Sequence, residues 1–275
     1  MTSRRDFRIL RLMVSCWVVV LSGSGSSAVS IVEFGAKGDG MTDNTDAIRK
    51  AFDSQAKSVY VPAGRYLTKP LDLPDGVHLY GDGSSSVLVL DAKDRKPYLL
   101  ASGNYCVIER LALTSGDDQI KLTNQEDPCL IHIRDKSHVT IMDVQLSNYP
   151  YTGIGCWQST DLIISRNRLT NLNEAIRLRL CWRVQVTANS IMDMKFHGIE
   201  FWGITDEDYV AKKHRKKACG DLMICNNYVK DGGGGAIWGA GSVRVIMNNN
   251  IIDGASDIGL DLEGCDDSVI AANSV

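Results

Sequence analysis

The sequence predicts an all-β solenoid, a single-stranded parallel β-helix opened by a short capping α-helix. Three observations carry that prediction. From Val139 onward, three columns of residues recur together with a period near 22 residues. Within each unit the apolar residues alternate, as in Val184-Gln-Val186 and Ile199-Glu-Phe201, which is the period of a strand and not of a helix. The stretches between are rich in Asn, Asp and Gly, the residues that turns require. A repeat of this length cannot bury its apolar face alone and does so by stacking on its neighbours.

The first column is an apolar residue, one spacer, then Asn or Asp: Leu146/Asn148, Leu169/Asn171, Ile191/Asp193, Val229/Asp231 and Ile251/Asp253. Its steps are 23, 22, 38 and 22 residues, so one unit carries a 16-residue insertion, Thr205–Gly220. The second column is asparagine at Asn167, Asn189, Asn227, Asn249 and Asn273. Asparagine tolerates left-handed backbone and stacks in ladders, so these positions read as structural. The third column is a small residue followed by an aliphatic: Gly153-Ile154, Ala175-Ile176, Gly198-Ile199, Ala236-Ile237 and Gly259-Leu260. Abundant β-branched residues and the lack of a leucine-rich-repeat consensus favour short strands joined by turns, one coil per repeat.

The first half fits the design less regularly. Asn44 to Gln55 places Ala47, Ile48, Ala51 and Phe52 on one helical face, with Thr42, Asp43 and Asn44 available as caps. Such a helix can cover the first coil of a solenoid, whose edge would otherwise pair with other chains. Strands are expected around Ser58–Val61, Val77–Tyr80 and Val87–Leu90, between Pro-Ala-Gly, Pro-Asp-Gly and Gly-Asp-Gly turns.

Residues 1–28 read as an export signal, and residues 29–275 as one β-helix domain. Arg4, Arg5, Arg8 and Arg11 precede an apolar run from Leu12 to Leu21, and Ser26-Ser27-Ala28 offers a small-residue cleavage site. Ser3-Arg4-Arg5-Asp6-Phe7 has the layout of a twin-arginine signal. The expected location is therefore periplasmic or extracellular. Cleavage there removes four arginines and one aspartate, leaving 26 basic against 32 acidic residues. A net charge of −6 argues against nucleic acid as a partner, and no later apolar stretch is long enough for a membrane span. Seven cysteines then remain, an odd number without a C-x-x-C spacing. Cys219 and Cys225 could bridge, but small buried hydrophobes are the favoured reading.

Val32-Glu-Phe-Gly-Ala-Lys-Gly-Asp-Gly-Met-Thr-Asp-Asn-Thr-Asp-Ala-Ile48 resembles the opening of the pectate-lyase-like superfamily that includes rhamnogalacturonase and epimerase-like members. Val59-Tyr-Val-Pro-Ala-Gly-Arg-Tyr-Leu67 and Leu73-Pro-Asp-Gly-Val-His-Leu-Tyr-Gly-Asp-Gly83 continue the resemblance in order. It implies a right-handed parallel β-helix and a polysaccharide as substrate or ligand. Asp39 and Asp43 are hallmarks of the opening motif, and both read as turn and cap residues. The reaction stays open, because this superfamily hosts hydrolases, lyases, epimerases and phage tailspikes, and fold does not determine chemistry.

Chemistry is expected on the outward side of the third column. One ladder there reads Gly155, Arg177, Glu200, Trp238, Asp261, and the next reads Trp157, Arg179, Trp202, Ala240, Glu263, with Glu174 and His197 just upstream of their strands. Rungs on neighbouring coils lie about 4.8 Å apart. Glu200, Asp261 and Glu263 are the candidate catalytic acids and bases for glycoside cleavage. Arg177 and Arg179 could hold a uronate carboxylate. Trp157, Trp202 and Trp238 offer flat apolar faces to a sugar ring, and His197 stands beside them as a further binding candidate. The competing reading is packing: Arg177 and Glu200 as an ordinary ion pair, and the tryptophans buried under the inserted loop.

That loop carries Ala211-Lys-Lys-His-Arg-Lys-Lys217, a basic stretch that could overhang the same face or simply be solvated. No cofactor is required by this reading. The resemblance leaves calcium open, with Asp257, Asp261, Glu263, Asp266 and Asp267 as oxygen donors. Val275 falls in mid-coil, so either a partner or further chain is expected over the last coil. The leading expectation is an exported hydrolase of an acidic, pectin-like polysaccharide. A lyase or epimerase using arginine and calcium is the first alternative, and a non-catalytic glycan-binding or tailspike-like module is the second.

Overall fold

A computed structural model of the chain describes residues 28–91, 98–116, 128–203 and 219–275. The chain winds as a parallel β-helix whose coils each visit three faces in turn. Face A is a ten-stranded parallel sheet that begins at Val29–Ser30 and ends at Val269–Ala271. Faces B and C belong to one fifteen-stranded sheet, because Gln145–Trp157 and Arg168–Arg179 run unbroken around the corner between them. Face B runs from Asp39–Asp43 to Ile251–Ala255, and face C from Leu71–Asp72 to Leu260–Glu263. The stretch read as an export signal, up to residue 27, and the basic insertion, from 204 to 218, lie outside the described residues.

One turn of the helix shows how sequence alternation becomes a wall. Along Trp182–Thr187 the residues Val184 and Val186 are buried, while Arg183 and Gln185 face solvent. Leu162, Val184, Leu222 and Val245 then stack in register through the interior of face A. On face B the interior column is Leu146, Leu169, Ile191, Val229 and Ile252, none more than 5% exposed. Burying each such aliphatic contributes about 1.5–3 kcal/mol before conformational entropy is charged against it.

The corner between faces A and B is held by asparagines. Asn167, Asn189, Asn227, Asn250 and Asn273 stack with each side-chain oxygen accepting from the preceding rung. Asn227 Oδ1, for example, accepts both the backbone N–H and the Nδ2 amide of Asn189, each at 3.0 Å. Each Nδ2 also donates to a backbone carbonyl of the preceding coil, as Asn227 does to Val186 at 2.9 Å. The fourth rung corrects the sequence reading: it is Asn250, fully buried, whereas Asn249 is exposed in the left-handed region at φ 53°. The same one-residue slip moves the first column from Ile251/Asp253 to Ile252/Gly254, since Ile252 pairs with Val229 and Ile251 is 52% exposed. Three consecutive asparagines made the columns ambiguous, and a strand step of one residue exchanges the inner and outer faces.

Left-handed backbone marks the other end of face B, at Asn148, Asn171, Asp193 and Asp231 with φ between 52° and 60°, and at Gly254 at 84°. Where an aromatic ring lies across a rung, glycine gives way to it. A Cβ on Gly239 would sit 1.9 Å from the ring of Phe201, its register partner.

The expected helix forms over Thr45–Asp53 and buries Ile48, Ala51 and Phe52 in the core together with Ile31. Asp43 caps it, accepting from Thr45 N at 3.0 Å and from the Thr45 hydroxyl at 2.5 Å. Asp39 accepts from the backbone N–H groups of Met41 and Thr42, which holds its carboxyl down to about 2. Both aspartates thus close a turn and a cap. The seven cysteines from Cys106 to Cys265 are all free thiols, so Cys219 and Cys225 do not bridge.

Candidate functional site

Face C carries the ladders in the expected register. Gly155 pairs with Arg177, Arg177 with Glu200, Glu200 with Trp238, and Trp238 with Asp261. Trp157, Arg179, Trp202, Ala240 and Glu263 follow one another in the same way. The strands therefore deliver every selected side chain to one wall. They do not leave every one of them open.

Two expected binding residues are spent on the protein itself. Trp157 is only 5% exposed: its ring folds back over Gly155, where a Cβ would lie 2.2 Å away. His132 stacks on it at 4.9 Å, and the Arg134 guanidinium lies 5.0 Å from its centroid. The glycine beneath and the ring and cation around it turn Trp157 from a platform into packing. Arg177 is likewise engaged. Its Nη2 forms an ion pair with Glu174 Oε2, and its Nε donates to Glu200 Oε2 at 3.2 Å. An arginine held between two carboxylates has no fork left for a uronate.

Glu174 was noted in the sequence but not selected, and the structure puts it at the floor of the site. It is 1% exposed, and the Thr152 hydroxyl donates to its Oε2 at 3.2 Å. The signal was present: Glu174 immediately precedes the Ala175-Ile176 pair and is the one carboxylate at that position, where the other coils carry Thr152, His197, Gly235 and Ile258. Glu200 is 5% exposed. Burial, and next the negative charge of Glu174, push its carboxyl up to about 6, against the opposing pull of Arg177 and Arg179.

The open part of the wall lies C-terminal to Glu200. Trp238 is partly exposed and fixed on three sides. The His197 ring stacks behind it at 5.5 Å and 9°, Trp202 meets it edge-on at 6.3 Å, and its Nε1 donates to Glu263 Oε1 at 3.3 Å. The Arg179 guanidinium lies 4.8 Å from the Trp202 ring. His197 is oriented by Gly235, whose N–H donates to its Nδ1 at 3.0 Å. A Cβ on Gly235 would crowd both His197 and Trp238, which accounts for one residue of the glycine run from Gly232. Asp261 is half-buried and Glu263 exposed. Burial and the charge of Glu263 raise the Asp261 carboxyl above the ordinary range.

The acidic cluster considered for calcium does not assemble a ligand set. Among the described residues, no three His, Cys, Asp or Glu side chains gather closely enough to hold a metal ion.

Fold and wall together define a parallel β-helix protein with a carboxylate- and tryptophan-bearing face. Residues 28–125 match the family described as "Rhamnogalacturonase A/epimerase, pectate lyase-like". That match covers about a third of the chain, and beyond residue 125 the likeness to solved structures is one of fold. An exo-poly-alpha-D-galacturonosidase of Dickeya chrysanthemi is 24% identical over 313 residues, covering 84% of this chain and 51% of that protein. The A-module of a mannuronan C-5 epimerase from Azotobacter vinelandii superposes with a TM-score of 0.70 at 20% identity, covering 90% of this chain and 77% of that one. PfbA, a surface adhesin of Streptococcus pneumoniae, superposes with a TM-score of 0.71 at 16% identity, covering 90% and 72%. The chain thus spans about half the length of the Dickeya enzyme, and its matches to several other curated relatives span no more than a tenth of theirs. Among the described residues no helix is long and apolar enough to cross a membrane.

Proposed function

We propose that this chain is an exported polysaccharide-active protein that hydrolyses a glycosidic bond of an acidic polysaccharide lying across Trp238. One observation carries the reading: Glu200, Trp238 and Asp261 occupy three consecutive rungs of face C. A proton donor, a sugar platform and a base thereby alternate along the helix axis. Two rungs separate the carboxylates by roughly 10 Å between α-carbons, and side chains leaning over the platform can reach the roughly 6.5–9.5 Å that inversion needs.

The roles follow from protonation. Glu200, raised to about 6, keeps a useful protonated fraction near neutrality and serves as the acid that protonates the leaving oxygen. Asp261, raised above an ordinary carboxylate chiefly by burial, takes the proton of the attacking water. Glu263 positions the Trp238 ring through its Nε1. Arg179, beside Trp202, is the cation placed to meet a uronate carboxylate. The exopolygalacturonosidase likeness supports this substrate class.

The adhesin likeness supports a second reading, glycan binding without cleavage along the same wall. A panel of pectic, alginate and neutral polysaccharides decides. New reducing ends alone indicate hydrolysis, reducing ends with the absorbance of unsaturated uronate indicate a lyase, and retention without cleavage indicates a binding module. Full cleavage retained by both Glu200→Gln and Asp261→Asn overturns the assignment of roles.

A further inference from the structure

Resting on the reading of Glu200 as proton donor, we infer that Glu174 is a positioning residue acting on Glu200 through Arg177. It occupies the guanidinium's terminal nitrogen, so that Arg177 orients Glu200 without neutralising it.

Glu174 and Glu200 are 1% and 5% exposed, and one guanidinium stands between them. Two buried carboxylates that share the Arg177 guanidinium repel each other, and a buried site relieves that repulsion by keeping a proton on one of them. Contacts decide which one. Glu174 holds the Nη2 end of Arg177 in the closer ion pair and also receives the Thr152 hydroxyl, two donors that favour its anion. Glu200 receives only the Nε edge, at 3.2 Å. The proton is therefore left on Glu200, on the rung below the Trp238 platform.

Among the described residues the charged neighbours of Glu200 fit this division. Arg177 and Arg179 stand on the preceding rung and favour the anion, while Glu174 behind Arg177 opposes it. The following rung presents Trp238, which carries no charge, with Asp261 beyond it. On its own element His197 is turned onto Trp238 and Gly235. Burial is the larger cause of the raised carboxyl and the charge of Glu174 is the next. At about pH 7, a midpoint of about 6 instead of the ordinary 4.5 leaves roughly thirtyfold more Glu200 protonated.

The test follows the Glu200 carboxyl directly, by NMR titration of the full chain labelled with carbon-13 at the glutamate carboxyls. Glu200→Gln identifies the resonance by its loss. The wild type is expected to titrate at about 6, and Glu174→Gln to bind that proton at least tenfold more weakly, because the negative charge that opposes the Glu200 anion is gone. Glu174→Asp, which restores the charge, is expected to return the midpoint toward the wild-type value. A merely structural Glu174 would move the melting temperature but not this midpoint. An unmoved or raised midpoint in Glu174→Gln overturns the inference. So does a wild-type Glu200 that already titrates as an ordinary glutamate, a result that needs no variant to fold. Should the midpoint fall as expected while Glu200→Gln still cleaves polysaccharide at full rate, the proton-donor reading fails and the coupling stands.

Discussion

Replacing Asn250 by alanine tests the stacking register more sharply than any change on the surface wall. Asn250 Oδ1 accepts the Asn227 backbone N–H and the Asn227 Nδ2, each at 3.0 Å, and its own Nδ2 donates to the Ile224 carbonyl at 2.8 Å. Both asparagines are buried to 1% exposure or less. Asn250→Ala leaves at least two buried donors on Asn227 without an acceptor, at about 1–3 kcal/mol each, so a loss of about 2–6 kcal/mol is expected. Asn249→Ala is the matched control. Asn249 is exposed at φ 53°, and alanine already occupies the equivalent left-handed position of other coils, Ala188 at 57° and Ala272 at 54°. Its cost should be about 1 kcal/mol. Denaturant unfolding supplies the stabilities. Hydrogen exchange at the Asn227 amide supplies the local reading, since a solenoid can open one end at a time. The Asn250 variant should exchange that amide faster, and the Asn249 variant should not. Equal losses, or a larger loss for Asn249→Ala, would refute the register and with it the alignment of every rung beyond Asn248.

Stability should carry a pH signature from Glu200. A carboxyl raised from 4.5 to about 6 by folding binds its proton more tightly in the folded state. Its contribution is then fully present below about 4.5, declines as pH rises to about 6, and levels off there at a loss of about 2 kcal/mol. Melting temperatures across that window should show the decline in the wild type and not in Glu200→Gln. Thiol titration offers a second check. Of the seven described cysteines, the half-buried Cys225 and Cys265 should react promptly with an aromatic disulfide in the native chain, and Cys106, Cys129, Cys156, Cys181 and Cys219 only on unfolding. Prompt reaction at Cys181 or Cys219 would contradict the packing behind face C. Gly155→Ala should lift the Trp157 ring from its seat, where a Cβ meets it at 2.2 Å, and so red-shift tryptophan emission and lower stability. An unchanged spectrum would show that Trp157 does not lie where the structure puts it.

Much of this molecule could be read before any coordinates. The alternation of Val184 and Val186, the asparagine columns and the small-aliphatic pairs fix strands and coils, because a strand's side-chain period and a turn's backbone demands are local properties repeated from unit to unit. Once coils stack in register, residues such as Arg177, Glu200, Trp238 and Asp261 must share a wall. What tertiary structure alone decided is which of Asn249 and Asn250 turns inward, and which residues of the wall stay open. The glycine at Gly155 lets Trp157 collapse onto it, and Glu174 reaches around the corner to take Arg177. Those outcomes depend on side-chain direction, on close neighbours along the same strand and on rungs a full coil away, where a single-residue step reverses inside and outside. Periodicity sets the rungs; contact between rungs determines what each side chain is free to do.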